Sequence, residues 1–182
     1  VSCAGGLYSW GLGGSGQLGH GDENNQPLPK RVEAEGLQEG VRSVAAGDHF
    51  SVAITDSGAL YTWGSDGSGQ LGHGDESDRS RPERVSALQQ ERVRCVAAGA
   101  AHALAVTDSG ELYSWGLNTS GQLGRGSEET ETEELVPTLV EGLDPICAVA
   151  AGRAHSIVVT RDGRAFGFGY GKDACLGLSL TE

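Results

Sequence analysis

A repeat with a period of just over 50 residues constrains the fold of this 182-residue chain more than any other feature. A short motif of Leu, Tyr, Ser or Thr, Trp and Gly occurs three times, with its tryptophans at Trp10, Trp63 and Trp115. These tryptophans are 53 and 52 residues apart, and a degraded fourth copy places Phe168 another 53 residues on. Because repeats of this length correspond to supersecondary units that stack on their neighbours, the chain is predicted to be an array of similar units.

Two further motifs recur in step with the tryptophans. The sequence Gly-Gln-Leu-Gly occurs at residues 16–19, 69–72 and 121–124, with a weak fourth copy at 174–177. The sequence Val-Ala-Ala-Gly occurs at residues 44–47 and 149–152, and also at 96–99. The repeat units counted from Leu7 are therefore 7–59, 60–111, 112–164 and an incomplete 165–182.

Each unit contains about four segments with the composition of short β-strands. In the first unit these segments are residues 7–11, 29–33, 41–46 and 50–55. They are bounded by turn-forming Gly, Asp and Asn, and no segment of ten or more residues has a convincing helical periodicity. Four strands repeated at this period are typical of a propeller blade. The sequence predicts an all-β propeller with four-stranded blades, of which this chain supplies three to four.

The combined pattern resembles the regulator-of-chromosome-condensation repeat, and the resemblance covers essentially the whole chain. It implies a propeller of seven blades, so we expect the chain to be part of a longer protein or complex. The first residues, up to Gly5, resemble the end of a Val-Ala-Ala-Gly element, but Gly5 precedes Leu7 by far less than Gly47 precedes Leu60. We therefore expect residues to be missing between Gly5 and Gly6, the alternative being a cropped first blade.

The resemblance leaves several functions open, because a fold alone does not select one. Its members include a nucleotide-exchange factor for the small GTPase Ran, modules of ubiquitin ligases and kinases, and a plant ultraviolet-B photoreceptor. Our first hypothesis is a non-enzymatic scaffold that binds a protein partner, and the alternative is an exchange factor for a Ran-like GTPase. The resemblance implies that exchange works by an insertion that projects from one blade and acts as a wedge. The even spacing of the repeats leaves no room for such an insertion here, but blades outside this sequence could carry it. Photoreception is the weakest hypothesis. The plant receptor has the pattern Gly-Trp-Arg-His-Thr, but the corresponding residues of this chain, 47–51, 99–103 and 152–156, contain no tryptophan.

The repeated aromatic and histidine positions are interpreted as structural. Trp10, Trp63 and Trp115 are predicted to pack between adjacent blades. His102 and His155 occupy a slot that holds Phe50 in the first unit, which favours packing over catalysis. No nucleophile and base recur together, so no catalytic residue and no cofactor are predicted. A zinc site formed by the His-Gly-Asp sequences of residues 20–22 and 73–75 is not favoured, because equivalent loops lie on different blades and would be too far apart.

An acidic segment in the third unit is the candidate partner-binding loop. Relative to the other units it contains three extra residues, and its carboxylates are Glu128, Glu129, Glu131, Glu133 and Glu134. A solvated loop is one interpretation and a docking site for a basic protein surface is the other. Phosphorylation of Thr130 or Thr132 would strengthen such docking.

The net charge of −12 limits the classes of partner that the chain is expected to bind. Because affinity for nucleic acid comes largely from Lys and Arg, direct nucleic-acid binding is disfavoured. No apolar run approaches the length of a membrane span, so no membrane partner is predicted. The four cysteines lack Cys-x-x-Cys spacing and no secretory signal precedes them, which favours reduced thiols and an intracellular location, cytoplasmic or nuclear.

Overall fold

The computed structural model describes residues 6–126, 133–172 and 175–177, and these residues form antiparallel β-sheets. The strands are β1 (Tyr8–Gly11), β2 (Gln26–Arg31), β3 (Val41–Ala46), β4 (Phe50–Thr55), β5 (Leu60–Gly64), β6 (Arg79–Arg84), β7 (Val93–Ala98), β8 (His102–Thr107), β9 (Leu112–Leu117), β10 (Glu133–Leu139), β11 (Ile146–Ala151), β12 (His155–Thr160) and β13 (Ala165–Gly169). Short 3₁₀ helices cover Glu35–Leu37 and Ser86–Leu88. The all-β class predicted from the sequence is confirmed.

The strands form four sheets in which sequence neighbours pair. Two sheets are complete four-stranded units, blade A (β3 to β6) and blade B (β7 to β10). A two-stranded sheet (β1 and β2) precedes blade A, and a three-stranded sheet (β11 to β13) follows blade B. The first strands of successive sheets, β3, β7 and β11, pack against the neighbouring blade and are the inner strands.

The sheets do not follow the sequence repeats as counted from Leu7. The four strands of residues 7–59 are divided between the two-stranded sheet and blade A, because β3 pairs with β4 and not with β2. One repeat unit, as counted from Leu7, therefore contributes two strands to each of two neighbouring sheets. Each repeat begins in one sheet and ends in the next, so the covalent chain itself links neighbouring sheets.

The hydrophobic core lies between the sheets. One cluster joins Phe50, Val52 and Ile54 of blade A to Ala103 and Trp115 of blade B. The second strand of each blade has neighbours on both faces, so β8 is buried at all six positions. This explains why its four central residues, 103–106, form a continuous apolar run, as expected for a strand covered on both sides.

The outermost strands differ from the inner ones in composition and exposure. Strand β2 contains Pro27 and Pro29 and is mostly exposed, and the equivalent Pro82 and Pro137 lie in β6 and β10. Proline is tolerated at a sheet edge because one side of the strand needs no ladder hydrogen bonds. Each of these strands also pairs with an irregular register. The outer edges of the blades therefore combine proline, exposure and an irregular register.

Two further expectations concern a chain break near the first residues and the absence of a membrane-spanning segment. The proposed break between Gly5 and Gly6 involves a residue outside the described ranges and stays a prediction. Within the described residues, no helix has both the length and the apolar character required to span a membrane.

Candidate functional site

Glycine-rich loops connect the third and fourth strands at one end of the blades, which we call the loop end. In the first such loop Gly16 N donates to Gly13 O (2.8 Å), and Gly19 N donates to Gly16 O (2.9 Å). In the second loop the same two bonds run from Gly69 N to Asp66 O and from Gly72 N to Gly69 O. The Gly-Gln-Leu-Gly motif thus builds two consecutive tight turns.

These loops dock onto the following blade. Gly21 N donates to Ser80 O of β6 (2.8 Å), and Gly74 N donates to Leu135 O of β10 (2.9 Å). Gly19 has φ of +77° and lies so close to the next blade that an added Cβ would be 2.8 Å from Trp63 Nε1. Any larger residue there would combine backbone strain with a collision. The loop is consequently held in place by the neighbouring blade as well as by its own turns.

The repeated tryptophans form the other half of this contact. Trp63 Nε1 donates to Gln17 O (2.8 Å) and Trp115 Nε1 donates to Gln70 O (2.9 Å), each reaching the loop of the preceding repeat. Both rings are buried between sheets. Trp10 is 59% exposed, because the described residues contain no sheet before β1 for it to pack against. It lines a cavity of about 500 Å³ between the two-stranded sheet and blade A.

The histidine slot lies beside the inner strands. His102 is fully buried, and its Nε2 is 3.0 Å from Ser156 Oγ, which itself donates to Gln122 O. Because the serine proton is already used, His102 donates from Nε2, which leaves Nδ1 as a buried acceptor with no partner among the residues that the structure describes. Burial lowers the pKa of His102 to about 4, with His155 adding to the effect. His155, in the equivalent slot, is half-buried.

The His-Gly-Asp sequences are engaged within their own repeats. His20 Nε2 lies 3.0 Å from Ser9 Oγ, and His73 Nε2 lies 3.0 Å from Thr62 Oγ1. The equivalent residue of the third repeat is Arg125, which donates to Ser114 O. Among the described residues no three His, Cys, Asp or Glu side chains converge as a metal site would require.

Five exposed carboxylates lie at the loop end. We define the acidic loop face as Glu23, Asp48, Asp75, Glu76 and Asp78, all exposed. They share one end of the molecule because β3 and β5 both finish there, so the β3–β4 turn and the β5–β6 loop lie side by side. Backbone bonds from Asp48 N to Ala100 O and from Ala100 N to Arg153 O join the inner turns of successive sheets.

The carboxylates of this face fall into two groups. Asp75 and Asp78 support the loop: Asp75 accepts from Ser77 N and Arg79, and Asp78 accepts from Asp66 N. The Arg79 hydrogen bond, reinforced by Ser77 N–H, lowers the pKa of Asp75 to about 2. Glu23, Asp48 and Glu76 form the second group, and no hydrogen bond or ion pair within the described ranges engages their side chains. Those three side chains are available to a partner.

The acidic segment of the third unit is only partly described. Glu128, Glu129 and Glu131, with Thr130 and Thr132, lie outside the described residues, so their docking role stays a prediction. Glu133 and Glu134 belong to β10 and are half-buried. Glu134 forms an ion pair with Arg125 (2.6 Å), so its carboxylate is already partnered.

Sequence reasoning missed Asp66, a fully buried carboxyl at the base of the second loop. Its Oδ1 accepts from Leu71 N (2.9 Å), while Oδ2 is buried without a partner. Burial raises the pKa of Asp66 to about 7, and nearby Asp75 and Asp78 act in the same direction. Asn118 occupies the equivalent position and accepts from Leu123 N (3.1 Å). The sequence signal is the alignment of Asp66 with Asn118. Because asparagine is neutral, the alignment indicates that this position suits an uncharged side chain, which Asp66 becomes when its carboxyl is protonated.

Side-by-side antiparallel sheets, with four strands in each complete one, define this chain as part of a β-propeller. The family model described as the regulator of chromosome condensation (RCC1) repeat matches residues 4–54, 57–106 and 109–159. The chain therefore belongs to the RCC1 repeat family, and the propeller architecture predicted from the sequence is confirmed.

Named relatives and a solved structure agree with this assignment. The chain is 43% identical over 176 residues to the Arabidopsis thaliana ultraviolet-B receptor UVR8, covering 94% of this chain and 39% of the receptor. It is 41% identical over 188 residues to the human E3 ubiquitin-protein ligase HERC2, covering 100% of this chain and 4% of the ligase. Prp20p of Saccharomyces cerevisiae, whose crystal structure was described with its binding properties to Gsp1p and histones, superimposes with a TM-score of 0.80 at 26% identity, covering 94% of this chain and 43% of Prp20p. The chain thus spans well under half the length of each.

Proposed function

We propose that this chain is a non-catalytic protein-interaction module whose acidic loop face binds a basic surface of a protein partner. The observation that carries the proposal is the group of three unpartnered carboxylates, Glu23, Asp48 and Glu76, at one end of the blades. The loops that present two of them, Glu23 and Glu76, are fixed by backbone bonds to the next blade. A rigid surface loses little conformational entropy on binding, which favours affinity.

The electrostatics support a basic partner over an acidic one. The net charge is −12, so the long-range field attracts cations and repels phosphate backbones. Similarity to Prp20p, which was described with its binding to histones, is consistent with a partner of this charge. We expect no direct binding to duplex DNA, because affinity for DNA depends on released counterions that an acidic surface does not displace.

The test is a binding measurement with core histones as the basic probe. The variant Glu23→Gln/Asp48→Asn/Glu76→Gln removes the three available carboxylates. Since each exposed charge contributes on the order of 0.5 kcal/mol, it is expected to weaken binding about tenfold. The matched control, Glu35→Gln/Asp56→Asn/Glu91→Gln, removes the same charge at the opposite end of the strands. Equal weakening by both variants would show a non-specific charge effect and would contradict the proposal, as would binding of duplex DNA with the affinity of histones.

The alternative is guanine-nucleotide exchange on a Ran-like small GTPase. The structural similarity to Prp20p, described with its binding to Gsp1p, is the observation that supports it. Nucleotide release from a panel of small GTPases that includes Gsp1p distinguishes the two. Accelerated release would favour exchange, and binding of histones without acceleration would favour the interaction module.

Photoreception has less support. Trp63 and Trp115 are buried in two different interfaces, each with its indole N–H bonded to a backbone carbonyl. Absence of any ultraviolet-B-induced change in oligomeric state or fluorescence is the expected result, and a reversible change would revive this alternative.

A further inference from the structure

The end of the blades opposite the loops, which we call the connector end, differs between blades A and B. The connector that leaves blade A is pinned by Val85 N to Leu60 O (2.9 Å) and Val93 N to Gly58 O (3.0 Å). The connector that leaves blade B has the same two anchors, Val140 N to Leu112 O and Ile146 N to Gly110 O (both 2.8 Å). Between these anchors the second connector is two residues shorter, since Val140 to Ile146 replaces Val85 to Val93.

A groove lies beside the shorter connector. The connector of blade A contains the 3₁₀ helix Ser86–Leu88, and Leu88 is buried at 3% exposure. The connector of blade B has no such helix, and its Leu143 is only partly buried. A cavity of about 400 Å³ lies beside this connector, with an apolar floor of Leu112, Leu139, Val140 and Leu143. Leu139 is 37% exposed.

Carboxylates surround this apolar floor. Glu111 is exposed at the position where blade A has the buried Ala59, and it lines the groove with Glu141 and Asp144. Glu111 accepts a hydrogen bond from Ser109 Oγ (3.0 Å). No hydrogen bond or ion pair in the described part of the chain engages Glu141. Asp144 is bound by the guanidinium of Arg164, which shows that an arginine fits against this rim.

We propose that this groove binds an arginine side chain presented by an extended segment of a protein partner. Arginine combines an apolar stem with a planar guanidinium, so the stem covers the leucine floor while the head group bonds Glu111 and Glu141. A purely apolar segment would leave both carboxylates beside buried surface without a counter-charge, which is unfavourable. Lysine is second best because it is a point charge that cannot donate a planar pair of hydrogen bonds.

This site is separate from the acidic loop face, because it lies at the other end of the strands. Its lining residues, 109–112 and 139–146, are distant in sequence from Glu23, Asp48 and Glu76. A partner that engages both ends would therefore wrap around an edge of blade B, and each contact can be removed without the other.

The test is a titration of the whole chain with the peptide acetyl-Leu-Arg-Leu-amide, followed through backbone amide chemical shifts. The expected result is saturable shifts at residues 109–112 and 139–146. The variant Glu111→Ala/Glu141→Gln is expected to weaken binding about tenfold through loss of charge-assisted hydrogen bonds. Glu111→Ala copies the residue of blade A, so the fold is expected to persist, and Glu141→Gln alone provides a second, exposed substitution.

Three results would overturn the proposal. They are the absence of shifts at the groove, equal binding of a control peptide with norleucine in place of arginine, and undiminished binding by the double variant. The control variant Glu76→Gln, on the acidic loop face, is expected to bind the peptide like the wild type. Failure of histone binding with retained peptide binding would contradict the proposed function alone, and the reverse would contradict the groove alone.

Discussion

Blades A and B share a backbone plan but place different side chains at its repeated positions. Phe50 of blade A corresponds to His102 of blade B, and Asp66 corresponds to Asn118. The hydrogen bonds made by the backbone around these positions are the same in both blades. The comparison shows that the repeat specifies turns, anchors and buried volume, while the chemistry of each slot varies as long as its size and its main hydrogen bond are kept.

The backbone carbonyl of the glutamine in the Gly-Gln-Leu-Gly motif shows how the chemistry of one position varies between repeats. Gln17 O accepts from both Trp63 Nε1 and Ser51 Oγ of blade A. Gln70 O accepts from Trp115 Nε1 of blade B, where Ala103 stands in place of the serine. Gln122 O accepts from Ser156 Oγ of the three-stranded sheet, where Phe168 replaces the tryptophan. A buried carbonyl needs at least one donor, and each interface supplies it differently.

The largest effect is expected from removing the ring at the first of these interfaces. Trp63→Ala should reduce the free energy of unfolding by about 3–5 kcal/mol, the cost of truncating a buried aromatic. Chemical denaturation checks this, with Trp10→Ala as the control because Trp10 is exposed. A midpoint unchanged from the wild type would refute the packing assigned to Trp63.

Asp66 should make stability depend on pH in a way that Asn118 does not. Its folded pKa is about 7, above the ordinary value of 3.8, so the folded state holds the proton more tightly. Its contribution is therefore full at acid pH and is lost as pH rises from 3.8 to about 7. Asp66→Asn should remove this loss and stabilise the protein at pH 8 by up to about 4 kcal/mol. Unfolding measured across this range in both proteins is the check, and parallel curves would contradict the raised pKa.

The contribution of His102 to stability is expected to change with pH in the opposite direction to that of Asp66. Its folded pKa of about 4 lies below 6.5, so its contribution is full above pH 6.5 and is lost as pH falls towards 4. His102→Phe, which copies Phe50, should therefore gain up to about 3 kcal/mol relative to the wild type over that interval. His49→Phe, at an exposed position, serves as the control. A pH-independent difference between His102→Phe and the wild type would show that His102 is not held neutral by burial.

The smallest changes in stability are expected from removing the indole N–H donors to Gln17 O and Gln70 O. Trp115→Phe leaves Gln70 O without its donor and should cost about 1–3 kcal/mol. Trp63→Phe should cost less, because Ser51 still donates to Gln17 O. Adding Ala103→Ser to Trp115→Phe supplies the donor used by the third interface and should recover part of the loss. Equal costs for the two Trp→Phe changes, with no recovery, would mean that the carbonyls do not distinguish the interfaces.

Much of the fold was predictable because it depends on local pattern. The segments 41–46 and 50–55 coincide with β3 and β4, since both are short segments rich in apolar and β-branched residues between turns. Strand β2 was placed at 29–33 instead of Gln26–Arg31, because an exposed edge strand with two prolines carries no apolar signal. The offset of the blades from the repeats was not predictable, because a periodic sequence has the same period from any starting point and only strand pairing defines the sheet.

The candidate surfaces were predictable only in part. Net charge indicated an acidic surface, but not that Glu134 would be paired with Arg125 while Glu23 and Glu76 stay unpartnered. That distinction depends on contacts between residues of different loops. The groove at the connector end is lined by residues 109–112 and 139–146, which are far apart in sequence and come together only through the pairing of β8, β9 and β10.

Hydrogen–deuterium exchange of the chain with and without core histones tests directly whether the acidic loop face is the binding surface. We expect slower amide exchange on binding in the loops of residues 12–25 and 65–78 and in the turn at 47–49, with little change in the connector of residues 85–92. Protection confined to the connector end, or equal protection of residues 85–92 and of the loop end, would contradict the assignment of the acidic loop face as the binding surface.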